Sequence, residues 1–231
     1  KLTKNLPKSL LKVNKKSLLD YQIDILNKSG IKDISIVSGF KKELFKIPNI
    51  KLHVNKNWEK TSSLYSLWQA KKELKETIIS YGDIIYSEKA IQALNYGGNE
   101  KEDIVILCDK SWVNDSSNRE YYTGVICKQN SKKNIFKDNV LRVSKLEVNL
   151  NKKISNGEFI GMLRLNKKGS LIFKKHLSIL NKADNLRAMT LEGFINYLIK
   201  KNLKVFAKYI DGGWLDIDNE KQLNNAQKYM K

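Results

Sequence analysis

Arginine is scarce in this chain of 231 residues: only Arg119, Arg142, Arg164 and Arg187 stand among 43 lysines and arginines. The formal charge of +19 therefore rests on lysine, scattered along helices and turns rather than gathered into a block. Arginine is the residue of bidentate phosphate and guanine readout, so its scarcity argues against a nucleic-acid reader. A weak attraction for small anionic ligands remains. Cysteine is as rare. Cys108 and Cys127 sit in apolar strand-like runs without metal spacing, which implies buried free thiols and a reducing compartment. His53 and His176 have no partner at ligand spacing and read as structural. No apolar run reaches the length of a membrane span, and no signal peptide opens the chain. The cytoplasm is the default expectation, with neither membrane nor nucleic acid as partner.

What is present is a regular succession of apolar segments. The apolar fraction of 41% suits a globular chain with a sizeable core. Ser17 can cap a helix with Leu18, Leu19, Gln22, Ile25 and Leu26 on one face, stopped by Gly30. Ile31 to Gly39 and Lys51 to Asn55 read as strands, the first of them buried. Ser62 or Ser63 opens a helix with Leu64, Leu67 and Trp68 at helical spacing. Thr77 to Tyr81 and Asp103 to Asp109 are apolar and β-branched enough for buried strands, with a helix near Ser87 to Asn95 between them. From Tyr121 the texture alternates, as antiparallel strands do. Helices at 168–180 and 190–201, a strand at 204–210 and a final helix capped by Asn219 complete the chain. The expected fold is α/β, a three-layer, mostly parallel Rossmann-like sheet with a smaller mixed or antiparallel insert.

Three places carry charge at loop positions, where binding groups collect: Pro7-Lys8, Gly82-Asp83 and Gly213-Trp214-Leu215-Asp216-Ile217-Asp218. Taken alone, Gly82-Asp83 is ordinary turn chemistry. At the C-terminal end of a central strand it also lies where open α/β sheets bind ligands. Two acidic ends and one lysine would suit a nucleoside triphosphate, with carboxylates for a metal and an ammonium for phosphate. Asp216 and Asp218, at i and i+2, share one side of an extended segment.

The stretch from Leu2 to Val13, with Pro7-Lys8 at its centre, Ser17-Leu18-Leu19 and Ile31 to Phe40 together resemble the opening of the nucleotidyltransferase family, which makes nucleoside-diphosphate sugars, CDP-choline and related compounds. Ser63-Leu64-Tyr65-Ser66-Leu67-Trp68-Gln69-Ala70 and Gly157-Glu158-Phe159-Ile160-Gly161-Met162 are more similar to its phosphocholine and phosphonate cytidylyltransferase branch, phosphoglutamine included. The family begins with a strand and a Gly-rich, Arg-bearing loop that wraps the triphosphate and reads the base. Leu2 matches a position just after that loop, so the resemblance implies a longer parent protein and leaves activity of residues 1–231 alone open.

The resemblance implies one domain, with a nucleotide-binding part at about 1–120, an acceptor-binding insert at about 121–210, and a metal segment with its helix at 211–231. It implies that Lys8 and Asp83 are catalytic, with Lys8, Ser63, Gly82 and Asp83 at the nucleotide. Asp83, Asp216 and Asp218 would hold Mg2+. A solvated lysine, a helix-terminal charge at Asp218 and a helix cap at Thr61, Ser62 or Ser63 are the plain alternatives. Lys110, Trp112, Arg119, Tyr121 and Glu158 would meet the acceptor, Arg119 by its fork and the aromatics, Tyr122 included, as a wall for a cationic head group. Core packing or surface cover would explain the same aromatics.

The implied reaction moves CMP from CTP to a phosphate or phosphonate oxygen of a small acceptor such as phosphocholine, 2-aminoethylphosphonate or phosphoglutamine. Pyrophosphate is released, and the head group is activated for a surface polysaccharide or lipid. Partners are then the triphosphate and the phosphorylated acceptor, with room for a homodimer. One alternative is a sugar-1-phosphate nucleotidylyltransferase using UTP, dTTP or GTP. Another, of a different class, is a basic non-catalytic nucleic-acid-binding or interaction domain.

Overall fold

The computed structural model describes residues 3–95, 102–111, 121–128 and 140–229. Its strands are β1 (Lys12–Val13), β2 (Lys16–Ser17), β3 (Ser35–Ser38), β4 (Lys51–Val54), β5 (Thr77–Ser80), β6 (Ile84–Tyr86), β7 (Ile104–Asp109), β8 (Thr123–Cys127), β9 (Val140–Val148), β10 (Gly157–Leu165), β11 (Phe206–Ile210) and β12 (Trp214–Asp216). The helices are α1 (Leu18–Lys28), α2 (Ser63–Gln69), α3 (Glu88–Asn95), α4 (Lys167–Lys182), α5 (Leu191–Lys200) and α6 (Glu220–Tyr229). None of the helices described is long and apolar enough to cross a membrane.

β7 is buried along its whole length. Ile104, Ile106 and Cys108 pack to one face, Val105 and Leu107 to the other, as a strand covered on both sides requires. The first face meets α2, α4 and α5 through Leu64, Phe173, Leu177, Phe194 and Leu198. The second meets α3 through Ala90, Ile91 and Leu94. A third cluster joins Leu11, Val13 and Leu18 to Ile85, Ile217 and Ala226, which ties the start of the chain to its last helix. The three layers expected of an α/β fold are present. Cys108 and Cys127 are buried free thiols, both pushed up by burial.

The main sheet runs β5-β10-β7-β11-β9-β8. Its composition is mixed. β7 and β11 are parallel, and β10 runs antiparallel to both β5 and β7, so β5, β7 and β11 point one way with β10 set between two of them. The alternating segments β8, β9 and β10 thus enter the same sheet as β7. β3 and β4 form a separate parallel pair.

Two expectations need correction here. β5 is half-buried and ends its ladder, rather than being a buried central strand. The strand expected over Ile31 to Gly39 is confined to Ser35–Ser38 and is only partly buried. β3 and β5 belong to separate sheets, and between them lies a cavity of about 590 Å³ lined by Ile36, Val37, Leu67, Ile78, Ile79 and Tyr81, with Ser9, Ser63 and Gly82 also on its wall.

Local chemistry sets the helix starts. Ser17 accepts from Asp20 N while the Asp20 carboxylate accepts from Ser17 N, a reciprocal cap. Asn166 caps α4 by accepting from Gly169 N and also donates to Asp103 Oδ1. This clamps the helix onto the start of β7. A Cβ at Gly169 would lie 1.9 Å from the Asp103 carbonyl oxygen. Alanine ordinarily stabilises a helix by about 1 kcal/mol over glycine, but here backbone must move, at a cost of about 1–3 kcal/mol or more. Sterics win. Gly169→Ala is expected to lower the urea midpoint by the equivalent of about 2 kcal/mol, and a raised midpoint would refute the clamp.

Candidate functional site

Asp83 sits in the tight link between β5 and β6. The link is held from below by Gln22 on α1, whose buried side-chain amide donates to Tyr81 O at 2.9 Å and Ile84 O at 2.7 Å. On its flank, Tyr81 N donates to Gly161 O at 3.0 Å. Gly161 adopts φ +79°, and a Cβ there would come within 2.4 Å of the Tyr81 ring. The bulge at Gly161 shifts the register of β10 on β7 between Phe159 and Leu163, and opens room for that ring. Tyr81 Oη donates to Glu192 Oε1 at 2.8 Å.

β12 lies antiparallel to β6, with Asp216 opposite Ile84, and Ile217 N donates to the Asp83 carbonyl at 3.2 Å. Leu215 and Ile217 turn into the third core cluster. Asp216 and Asp218 therefore share the opposite side of the segment, toward Asp83. One oxygen from each of Asp83, Asp216 and Asp218 lies within 4.8 Å of the others. Asp218 also immediately precedes the cap of α6, where Asn219 Oδ1 accepts from Gln222 N at 2.9 Å.

Lys8 completes the group. Pro7 is buried and leads into a single 3-10 turn at Lys8–Leu10, while Leu11 is anchored in the third cluster. From this turn Lys8 Nζ bonds Asp83 Oδ2 at 3.3 Å and forms a close ion pair with Asp218. Burial works against the ammonium, but the carboxylates of Asp218 and Asp83 outweigh it and hold its pKa above the ordinary lysine value. Burial, followed by the nearby charges of Asp218 and Asp83, pushes the Asp216 carboxyl up to about 7. Three carboxylates against one ammonium are an incompletely neutralised oxygen set. Hard oxygens so placed fit a hard divalent cation such as Mg2+.

The other expected residues fall elsewhere. Gly82 is exposed, and a Cβ on it would touch only Ser9, at 3.4 Å, so the backbone there is open to approach. Ser63 is the first residue of α2 and exposed. Glu158 is 3% exposed at the start of β10, opposite Asp109 of β7 and Gly124 of β8. Lys110 faces Asp211 at 3.8 Å. Tyr121 is 67% exposed and is not on the wall of the cavity between β3 and β5. The Tyr122 hydroxyl donates to Leu150 O at 2.9 Å. Trp112 and Arg119 lie outside the described residues. Lys8, Asp83, Asp216 and Asp218 are thus brought together, whereas Lys110 and Glu158 stand at the end of β7 and the start of β10. Gln22 and Asp109 were missed as site-building residues. A polar side chain on an otherwise apolar helix face was the one signal Gln22 offered.

No family model matches the chain. In sequence it is 26% identical, over 94% of its length and 89% of the relative's, to the CTP:phosphoglutamine cytidylyltransferase of Campylobacter jejuni. Over a shorter stretch, 36% of this chain and 38% of the relative, it is 36% identical to the choline-phosphate cytidylyltransferase of Streptococcus pneumoniae. Among solved structures, the CTP:phosphocholine cytidylyltransferase of Streptococcus pneumoniae superposes with a TM-score of 0.75 at 20% identity, covering 100% of this chain and 92% of that one. The inositol-1-phosphate CTP transferase of T. maritima gives 0.73 at 17% identity, covering 100% and 90%. Along nearly its whole length the chain is thus similar in sequence to a cytidylyltransferase, and it shares the fold of solved nucleotidyltransferases.

Proposed function

We propose that the chain transfers CMP from CTP to a phosphate or phosphonate oxygen of a small acceptor, releasing pyrophosphate. The observation that carries this reading is the meeting of Asp83, Asp216 and Asp218, within 4.8 Å of one another, beside the ammonium of Lys8. An acceptor oxygen attacks the α-phosphorus. The new P–O bond forms as the bond to the pyrophosphate oxygen breaks in line. Such transfers need positioning and charge neutralisation rather than a protein nucleophile.

In this reading Asp83, Asp216 and Asp218 hold Mg2+. The ion, when bound, supplies neutralisation of charge on the phosphate oxygens. Lys8 meets the phosphates with its ammonium and offsets the charge that develops there. The open backbone at Gly82 and the hydroxyls of Ser9 and Ser63 line the nucleotide side of the cavity. Glu158 and Lys110 stand on the acceptor side, where a buried carboxylate favours an acceptor carrying a cationic or hydrogen-bonding group. Phosphocholine, 2-aminoethylphosphonate and phosphoglutamine all have such a group. The product would be an activated head group for a surface polymer or lipid.

The test is pyrophosphate release by the purified full chain with CTP, UTP, dTTP and GTP, each paired with those three acceptors and with glucose-1-phosphate. CTP with one of the zwitterionic acceptors is the expected best pair. Preference for UTP with glucose-1-phosphate would make the protein a sugar nucleotidylyltransferase instead.

The raised pKa of Asp216 gives the metal reading a pH dependence. Only the ionised carboxylate binds a cation. From pH 5 to about 7 the half-saturating Mn2+ concentration should fall by about tenfold per pH unit and then level off. The metal-free protein should behave oppositely. A carboxyl whose folded pKa lies above its unfolded value favours the native state below the unfolded value and loses that contribution as pH rises through the folded one. Mn2+ titrations followed by electron paramagnetic resonance at several pH values check the first trend. A flat profile would remove Asp216 from the ligand set.

A further inference from the structure

Asp109 ends β7 and is only 5% exposed. Its Oδ1 accepts from Ser111 N at 2.8 Å, Ser111 Oγ at 2.7 Å and Gly212 N at 3.0 Å, and its Oδ2 accepts from Trp214 Nε1 at 2.8 Å. Three of these bonds fall on Oδ1 and one on Oδ2, so most of the carboxylate's accepting capacity is spent inside the protein. What it grips is the turn from β11 into β12, two residues ahead of Asp216.

Ahead of the β6 ladder, which begins at Trp214, the turn itself is built on glycine. Gly212 and Gly213 both adopt left-handed backbone, at φ +65° and +80°, which glycine enters freely and leaves as freely. Neither has a side chain to pack. Besides Asp109, the turn is tied by Lys110 N donating to Ile210 O at 3.0 Å and Ser87 N donating to Gly213 O at 2.8 Å. Trp214 and Asp216 point to the same side of β12, so the bond from the Trp214 indole acts together with the β6 ladder and the packing of Leu215 and Ile217 in holding the side on which the acidic residues emerge.

We propose that Asp109 is a positioning residue that fixes the register of Asp216 and Asp218 against Asp83 by holding Gly212 and Trp214. The inference rests on the reading of that acidic group as a cation site. It explains why a carboxylate stands here rather than an amide. An asparagine could satisfy Gly212 and Ser111 with its oxygen, but its NH2 would face the indole N–H of Trp214, donor against donor.

The experiment compares the full chain with Asp109→Asn, Trp214→Phe and the double variant, reading Mn2+ affinity by electron paramagnetic resonance without nucleotide, beside urea midpoints in chelator. Asp109→Asn should weaken Mn2+ binding about tenfold or more. Trp214→Phe, which removes one donor, should weaken it less. The double variant should bind better than Asp109→Asn alone, because the opposed donors are gone; a purely structural loss would instead accumulate. If Asp109→Asn fails to fold, Trp214→Phe carries the test. Mn2+ affinity unchanged within about twofold, with only the urea midpoint lowered, overturns the proposal. Should the unmodified protein bind no Mn2+, or bind it equally well as Asp83→Asn, the cation-site reading falls and this inference with it.

Discussion

Asp83→Asn is expected to lower nucleotidyl transfer about a thousandfold, equivalent to about 4 kcal/mol of transition-state stabilisation. The substitution preserves shape and removes charge. The backbone bond from Ile217 N to the Asp83 carbonyl does not involve the side chain. Gln22 still grips Tyr81 and Ile84, so the link between β5 and β6 keeps its path. What is lost is one of three convergent anionic oxygens and one of two carboxylates on Lys8. Stability should hold or rise slightly, since Asp83 is among the charges that oppose ionisation of Asp216. Pyrophosphate release under saturating CTP and metal, beside a urea titration, separates the two effects. Retention of activity to within about tenfold would mean that the acidic cluster does not hold the reacting phosphates' cation.

Lys8→Met should produce two changes of opposite sign. Transfer falls about a hundredfold, the usual scale for removing one preorganised electrostatic contact. Binding of Mn2+ without nucleotide, by contrast, becomes tighter by severalfold. In the metal-free protein the Lys8 ammonium already lies on Asp83 and Asp218, so a divalent cation must compete with it for the same oxygens. Methionine keeps the length of the stem and withdraws the competitor. The net effect on affinity is tempered by protonation, because Lys8 also favours the ionised form of Asp216; above about pH 8 that second influence fades. A variant with undiminished turnover would make Lys8 only a counterion for the cluster.

The parts of this site that were legible in the sequence are those whose signal is local or familial. Ser17 and Asn219 announce helix starts by side chains that cap within three residues. The i, i+2 pair Asp216 and Asp218 brackets an apolar residue that could only face the core, as Ile217 does. Lys8 and Asp83 stood out through the resemblance more than through chemistry, because a lysine in a lysine-rich chain and a Gly-Asp turn are commonplace alone. The illegible part is non-local. Asp109 meets Gly212 and Trp214 over a hundred residues further on, and no spacing rule connects them. Gln22 serves two carbonyls of a turn some 60 residues away, while reading as one more position on an amphipathic helix. In β10 the bulge at Gly161 shifts the register on β7 while leaving the alternation intact, with Ile160 and Met162 on one side and Phe159 and Leu163 on the other, so the strand's own pattern gives no sign of it.

The ion pair between Lys8 and Asp218 spans 210 positions of the chain. Closing so long a loop is entropically slow and is repaid only once the intervening sheet exists. A chain emerging from the ribosome can therefore complete β7 and its neighbours while its acidic cluster is still divided. The cluster is whole only after the segment from β12 into α6 has docked against the start of the chain.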